Sequence, residues 1–141
     1  MPLQVKKVDV WSGQIDDRPG ALAQKLAVLS AAGVNLQFLL ARRTPENPGK
    51  GLLFVSPIRG AGQTRAAVEA GLARSNDLQS IRVQGPDKPG IAGQMARAIA
   101  GAGVSMRGFT ATALGRRFVA YIALDSAADA ATAAKAVKAI R

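Results

Sequence analysis

The sequence predicts an α+β chain made of two copies of a β-α-β-β-α unit, the ferredoxin-like order without its last strand. Three observations predict it. Residues 14–41 recur at 84–111 with a constant offset of 70. Each copy opens on a short apolar-polar alternation that ends in an Asp-x-Pro-Gly turn. Each turn is followed by apolar residues at helical spacing. The 141 residues, 48% apolar and 20% charged, suffice for one compact domain or two small ones. Alanine supplies 28 of them, so the helices should pack closely over a thin core.

The identities that define the repeat are Gln14/Gln84, Asp17/Asp87, Pro19/Pro89, Gly20/Gly90, Gln24/Gln94, Ala32/Ala102, Gly33/Gly103, Val34/Val104 and Ala41/Ala111. They cluster at Pro and Gly, the residues that dictate backbone shape. The first strands are expected at Val8–Ile15 and Leu78–Gln84. In the helices that follow, Leu22, Leu26 and Leu29, and then Ile91, Met95 and Ile99, line one face. Gly33 and Gly103 can take the left-handed conformation that ends both helices. Next come strands in which Val34, Leu36, Phe38 and Leu40 share a face, and in which Val104 and Met106 begin the same pattern before Gly108 interrupts it. Turns at Thr44–Gly51 and Leu114–Arg116 lead to third strands, Leu52–Ser56 and Phe118–Leu124. Each copy closes on an Ala-rich helix, about 61–74 and about 128–140.

The chain therefore divides at 75/76 into repeats 1–75 and 76–141. No residues remain for a fourth strand in either copy. The expectation is that the two first strands pair with each other, giving a continuous six-stranded, mainly antiparallel sheet, 2-3-1-1′-3′-2′, with four helices on one face. Neither half would then be stable alone, because each would expose an unpaired edge.

Composition excludes most catalytic chemistry. With no Cys and no His there is no disulfide scaffold, thiolate zinc site, cysteine nucleophile or imidazole base. The stretch Asn47–Gly51 lacks the spacing of a phosphate-binding loop. No catalytic residue, metal constellation or cofactor is expected, so the chain is read as not an enzyme. Nineteen Lys/Arg against nine Asp/Glu give a net charge of +10, spread over both halves without a run of five. A basic bacterial composition explains that charge more economically than an anionic partner. The N-terminal residues lack a signal peptide's apolar core, and no apolar run approaches the roughly 20 residues of a membrane span. The cytoplasm is the expected location, with no membrane contact.

Asp17-Arg18-Pro19-Gly20-Ala21-Leu22-Ala23, an amphipathic helix, then Ala31-Ala32-Gly33-Val34-Asn35-Leu36 resembles the opening of an ACT domain, a small regulatory module of amino-acid metabolism. The second copy, with Asp87-Lys88-Pro89-Gly90-Ile91-Ala92 and Gly103-Val104-Ser105-Met106, is similar. The resemblance implies a free-standing tandem regulatory protein that binds an amino acid between ACT units. It also implies action on a regulated enzyme partner or on its own assembly, and a homodimer. The site it implies runs along the loop after the first strand and the start of the second: Asp17, Arg18, Gly20, Ala21 and Asn35 in one copy, Asp87, Gly90, Ile91 and Ser105 in the other. The chemistry of the residues fits. Amides at a helix N-terminus suit a carboxylate, glycine admits close approach, and Asn35 offers a donor and an acceptor where Ser105 does not. Asp17 and Asp87 also read as helix caps.

Two other readings stay open. In one, the repeats serve only as a ligand-free interaction or dimerisation module. A basic ferredoxin-like sheet could instead bind RNA, which requires aromatics on its central strands. The third strands hold Phe54, Phe118 and Tyr121 without the RNA-recognition pattern, so nucleic acid is not the expected partner.

Overall fold

The computed structural model describes residues 3–74 and 79–140. The chain divides into two compact units, Asp9–Ser75 and Met1–Val8 together with Asn76–Arg141. The expected division at 75/76 and the strand start at Leu78 lie outside the described residues. The elements run β1 (Gln4–Val8), β2 (Trp11–Asp16), α1 (Ala21–Ala31), β3 (Phe38–Arg43), β4 (Lys50–Ser56), α2 (Gly60–Glu69), β5 (Ala73–Arg74), β6 (Gln79–Pro86), α3 (Ile91–Gly101), β7 (Met106–Leu114), β8 (Arg117–Leu124) and α4 (Ala127–Lys138).

Each unit has its own four-stranded antiparallel sheet, and this replaces the expected six-stranded one. The orders are β3-β4-β2-β5 and β1-β6-β8-β7. The fourth-strand slots are filled locally. In Asp9–Ser75 the slot beside β2 is taken by β5, which follows α2 and pairs Trp11 with Arg74 and Ser12 with Ala73. Gly13 makes that approach possible, since a Cβ there would lie 2.4 Å from the Gly71 carbonyl oxygen. In the other unit the slot beside β6 is not filled from the residues next to α4 in sequence. The N-terminal segment β1 fills it instead, with Val5 opposite Val83. The expected strand Val8–Ile15 is therefore split: Val8 ends β1 in one sheet and Trp11 begins β2 in the other.

In the Asp9–Ser75 unit, Leu29 of α1 and Ala67 of α2 meet Leu53 and Val55 of β4, so both helices cover the same sheet face. Leu22, Leu26, Trp11 and Ile15 complete that core. The α1 helix ends as the glycine predicts, with φ 78° at Gly33 and its N–H donating to the Ser30 carbonyl. The next strand starts later than expected. Val34 and Leu36 pack on the core from an irregular segment, and β3 begins at Phe38. Register then places Ala41 opposite Leu53 on the helix side, and Leu40 opposite Phe54 on the outer face. The four-residue apolar alternation is thus split between two faces, because one residue of register exchanges inside for outside.

In the second unit, Ile91, Met95 and Ile99 of α3 and Ala130, Ala133 and Val137 of α4 pack on Ile81, Val83, Ala120, Ile122 and Leu124. At Gly108, where the sequence pattern breaks, the β7–β8 register shifts between Met106 and Gly108, which returns Phe109 to the core. The last helix begins at Ser126, whose hydroxyl accepts from the Asp129 N–H at 3.0 Å. Among the described residues no helix is long and apolar enough to cross a membrane.

Candidate functional site

The Asp9–Ser75 unit carries a cleft of about 210 Å³ lined by Ile15, Asp16, Asp17, Arg18, Leu22, Ala41, Arg42, Arg43 and Gly51. It forms where the end of β2, the start of α1 and the end of β3 converge on the start of β4. Gly51, opposite both Ile15 and Arg43, lends only backbone to its floor, and a Cβ there would lie 2.6 Å from the Arg42 carbonyl oxygen.

Helix α1 opens on Gly20, with φ 86° and no side-chain cap. The Ala21 N–H donates to the Arg18 carbonyl at 3.2 Å, and the Gln24 N–H to Gly20 at 3.0 Å. Between them, the N–H groups of Leu22 and Ala23 belong to the first turn, where a helix offers no acceptor. The positive end of the helix dipole therefore sits beside Leu22, on the cleft wall. Asp17 does not cap the helix. A left-handed N-cap selects glycine, and the Asp17 carboxylate is held by Arg43 at 2.9 Å. Asp87 likewise precedes a left-handed glycine, Gly90, at the start of α3, where no side chain caps the helix.

Charges around the cleft are paired with one exception. Asp16 accepts from Lys50 and lies 3.8 Å from Arg18, which also donates to Gln24 at 3.0 Å. Arg42 donates to the Arg43 carbonyl at 3.2 Å, and among the described residues no carboxylate meets its guanidinium. These pairs are exposed and contribute little stability. What they do is fix two acidic and three basic side chains and leave the Arg42 guanidinium without a carboxylate among the described residues.

The Lys50 ammonium, by hydrogen bond and by charge, holds the Asp16 carboxyl below the ordinary aspartate range. A lowered folded-state value means the Asp16–Lys50 pair is fully present above the unfolded aspartate value of about 3.9. It is lost only as pH falls through the lower folded value. Titration followed by carboxyl NMR is expected to place Asp16 below that unfolded value, and Lys50→Met to raise it. An unchanged titration in the variant would remove Lys50 as the cause.

Of the residues anticipated from sequence, the cleft gathers Asp17 and Arg18, with Gly20 and Ala21 adjoining at the helix start. It does not gather Asn35, which is exposed and precedes β3, whose far end supplies Arg42 and Arg43. In the other unit Asp87, Gly90 and Ile91 occupy the equivalent loop and helix start, and the Ile91 amide is spent on the Lys88 carbonyl at 3.3 Å. Ser105 is exposed and lies just before β7.

The sequence reading missed Asp16, Arg42, Arg43 and Gly51. A signal for them was present in the repeat. Beyond the β3–β4 and β7–β8 turns the offset falls from 70 to 67, so Phe118, opposite Gly85 and Ala113, stands where Gly51 stands opposite Ile15 and Arg43. Phe118 is 5% exposed, and its ring lies 3.2 Å from where a Gly85 Cβ would be. In the same position, one unit has a glycine that lines the cleft and the other a buried aromatic ring. Arg42 and Arg43 are matched by Thr112 and Ala113, and Asp16 by Pro86.

No family model matches the chain, and no curated protein matches it. Solved structures do. Protein BT0572 from Bacteroides thetaiotaomicron superposes with a TM-score of 0.77 at 16% identity, covering 93% of this chain and 88% of that one. The ligand-free regulatory subunit of aspartate kinase from Thermus thermophilus gives 0.66 at 16% identity, covering 97% and 95%. The regulatory subunit from Thermus flavus gives 0.60 at 19% identity, with the same coverage. These likenesses, over nearly the whole of each chain, show that the protein has the ACT fold of the aspartate kinase regulatory subunits.

Proposed function

We propose that the chain is a regulatory module that binds an amino acid, or another small carboxylate, in the cleft of its Asp9–Ser75 unit and conveys that occupancy allosterically. The observation that carries this reading is the cleft itself: Arg42 without a carboxylate partner among the described residues, beside the open end of α1, with Asp16 and Asp17 on the same wall. A carboxylate is matched by the guanidinium and the helix end, and an ammonium by the two aspartates. The volume of about 210 Å³ equals about seven waters at ~30 Å³ each, the scale of a single small amino acid. The fold shared with aspartate kinase regulatory subunits supports a regulatory, non-catalytic role.

The output is proposed to pass to a partner enzyme or through self-association in the cytoplasm. The edges of the two sheets favour a dimer. Among the described residues β3 and β7 each pair with one strand, and Leu39 and Leu114 on them are 42% and 87% exposed. Binding would act by its differential affinity for two arrangements of the assembly.

A thermal-shift screen against the twenty amino acids tests the reading. A ligand at about 100 times its Kd contributes roughly 2.7 kcal/mol, which is expected to raise the unfolding midpoint by about 5–10 °C. A flat panel, repeated with small dicarboxylates, would leave the ligand-free interaction module as the better account.

A further inference from the structure

The edges of the two sheets are not alike. Among the described residues one sheet ends on β3 and β5, and the other on β1 and β7. An open strand edge invites pairing with another chain, and proteins blunt it by shortness or by charge. Three of these edges are blunted. β5 is two residues long and ends on Arg74, β1 carries Lys6 and Lys7, and β3 ends on Arg42 and Arg43. β7 is not blunted. From Gly108 to Leu114 it has no charged side chain, residues 111–114 are exposed, and Leu114 is the most exposed of the large apolar residues at 87%.

The pairing with β8 decides which backbone groups of β7 point outward. Gly115 and Arg116 close the hairpin, so Leu114 and Arg117 share a hydrogen-bonded position. Alternation along the ladder then turns the N–H and C=O groups of Ala113, Ala111 and Phe109 away from β8. The same alternation sets the faces. Phe109, which packs on the core, and Ala113, opposite buried Phe118, lie on the helix side. Gly108, Thr110, Thr112 and Leu114 lie on the outer side.

We infer that β7 pairs antiparallel with β7 of a second copy, about a two-fold axis through Ala111. The inference rests on the self-association proposed above, fixes its edge and register, and needs nothing of the cleft. In this register Ala111 faces its own copy and Phe109 faces Ala113, using the outward N–H and C=O groups. Thr110 faces Thr112, and Leu114 faces Gly108, so the large side chains, Phe109 and Leu114, both meet small ones. Helix-side residues meet helix-side residues, so the two sheets continue into one with the helices on a common side. The exposed leucine and the glycine inside the strand then have one explanation. β3 offers no such match. About Ala41, which corresponds to Ala111, Arg42 would face Leu40 and Arg43 would face Leu39.

Sedimentation equilibrium of the full chain, joined to amide hydrogen exchange, is the test. The unmodified chain is expected to dimerise, with the amides of Phe109, Ala111 and Ala113 gaining protection as concentration rises. Ala111→Lys and Ala111→Glu each set like charges opposite one another on the axis, and each should weaken the dimer about fivefold. Mixed in equal amounts, the two variants should recover it, since the charges at the axis are then opposite. That recovery also shows that both variants fold. Leu39→Lys, on β3, is expected to leave the dimer unchanged. A dimer disrupted by Leu39→Lys and not by Ala111→Lys would overturn the inference and leave self-association standing, with the second copy on β3. A mixture that fails to recover, or amides at 109, 111 and 113 indifferent to concentration, would overturn the register. A monomer at every concentration would overturn inference and self-association together, and leave the β7 edge to a partner protein. None of these results decides the amino-acid screen, which tests the cleft.

Discussion

Leu3→Ala is expected to destabilise the unit formed with residues 79–140 by about 2 kcal/mol, the low end of the range for a buried leucine, and to leave Asp9–Ser75 unchanged. Leu3 is 9% exposed and belongs to the core of Ile81, Val83 and Phe118, far along the chain from its own position. Its Cδ2 also lies 2.5 Å from where a Gly85 Cβ would be, so leucine and glycine at these two positions share one space. Deleting residues 1–8 should cost more than the substitution. It removes Val5 from the same core and strips five paired positions from the free edge of β6. Native-state hydrogen exchange distinguishes the units. Faster exchange at Ile81 and Ile122 with unchanged Leu53 and Val55 supports the assignment, whereas loss confined to Leu53 and Val55 would return the N-terminal strand to the repeat that follows it in sequence.

That assignment is where the sequence misleads. The repeat itself was legible because Pro19/Pro89, Gly20/Gly90 and Gly33/Gly103 act locally: each fixes a turn or a helix end through its own backbone. The helix faces were legible because Leu29, Met95 and Ile99 obey one period and one partner surface. The fourth strands were not. β1 lies more than seventy residues from its partner β6, and β5 is two residues long, so neither leaves a local pattern. The face assignments of Phe38 and Leu40 failed for a similar reason, since they depend on where extension begins after Gly33, which register with β4 decides. In the cleft, Asp17 and Arg18 were found because they belong to the repeated turn. Arg42 and Gly51 were not, because they matter through how they differ from Thr112 and Phe118. A repeat reveals what the two copies must share, and the site lies in what they do not share.

The second large effect follows from that difference. Once the screen identifies a carboxylate ligand, Arg42→Ala is expected to weaken its binding by about 1.5–3 kcal/mol, the worth of a hydrogen bond to a charged group. Calorimetry would read this as a loss of about 10- to 150-fold. Arg42→Lys should recover part of it, since an ammonium restores the charge without the guanidinium's two-pronged geometry. Asn35→Ala provides the opposing arm. Asn35 is exposed and removed from the cleft along β3, so its truncation should leave affinity unchanged. If Asn35→Ala weakens binding and Arg42→Ala does not, the ligand sits at the other end of β3, and the cleft is not the site. Stoichiometry adds an independent constraint. Phe118 stands in the second unit at the position that Gly51 holds in the first, and no arginine stands at Thr112 or Ala113. One ligand per chain is therefore expected. Two equivalent ligands would require the Phe118 ring to leave a core position in which it is 5% exposed, at a cost comparable to the binding energy itself.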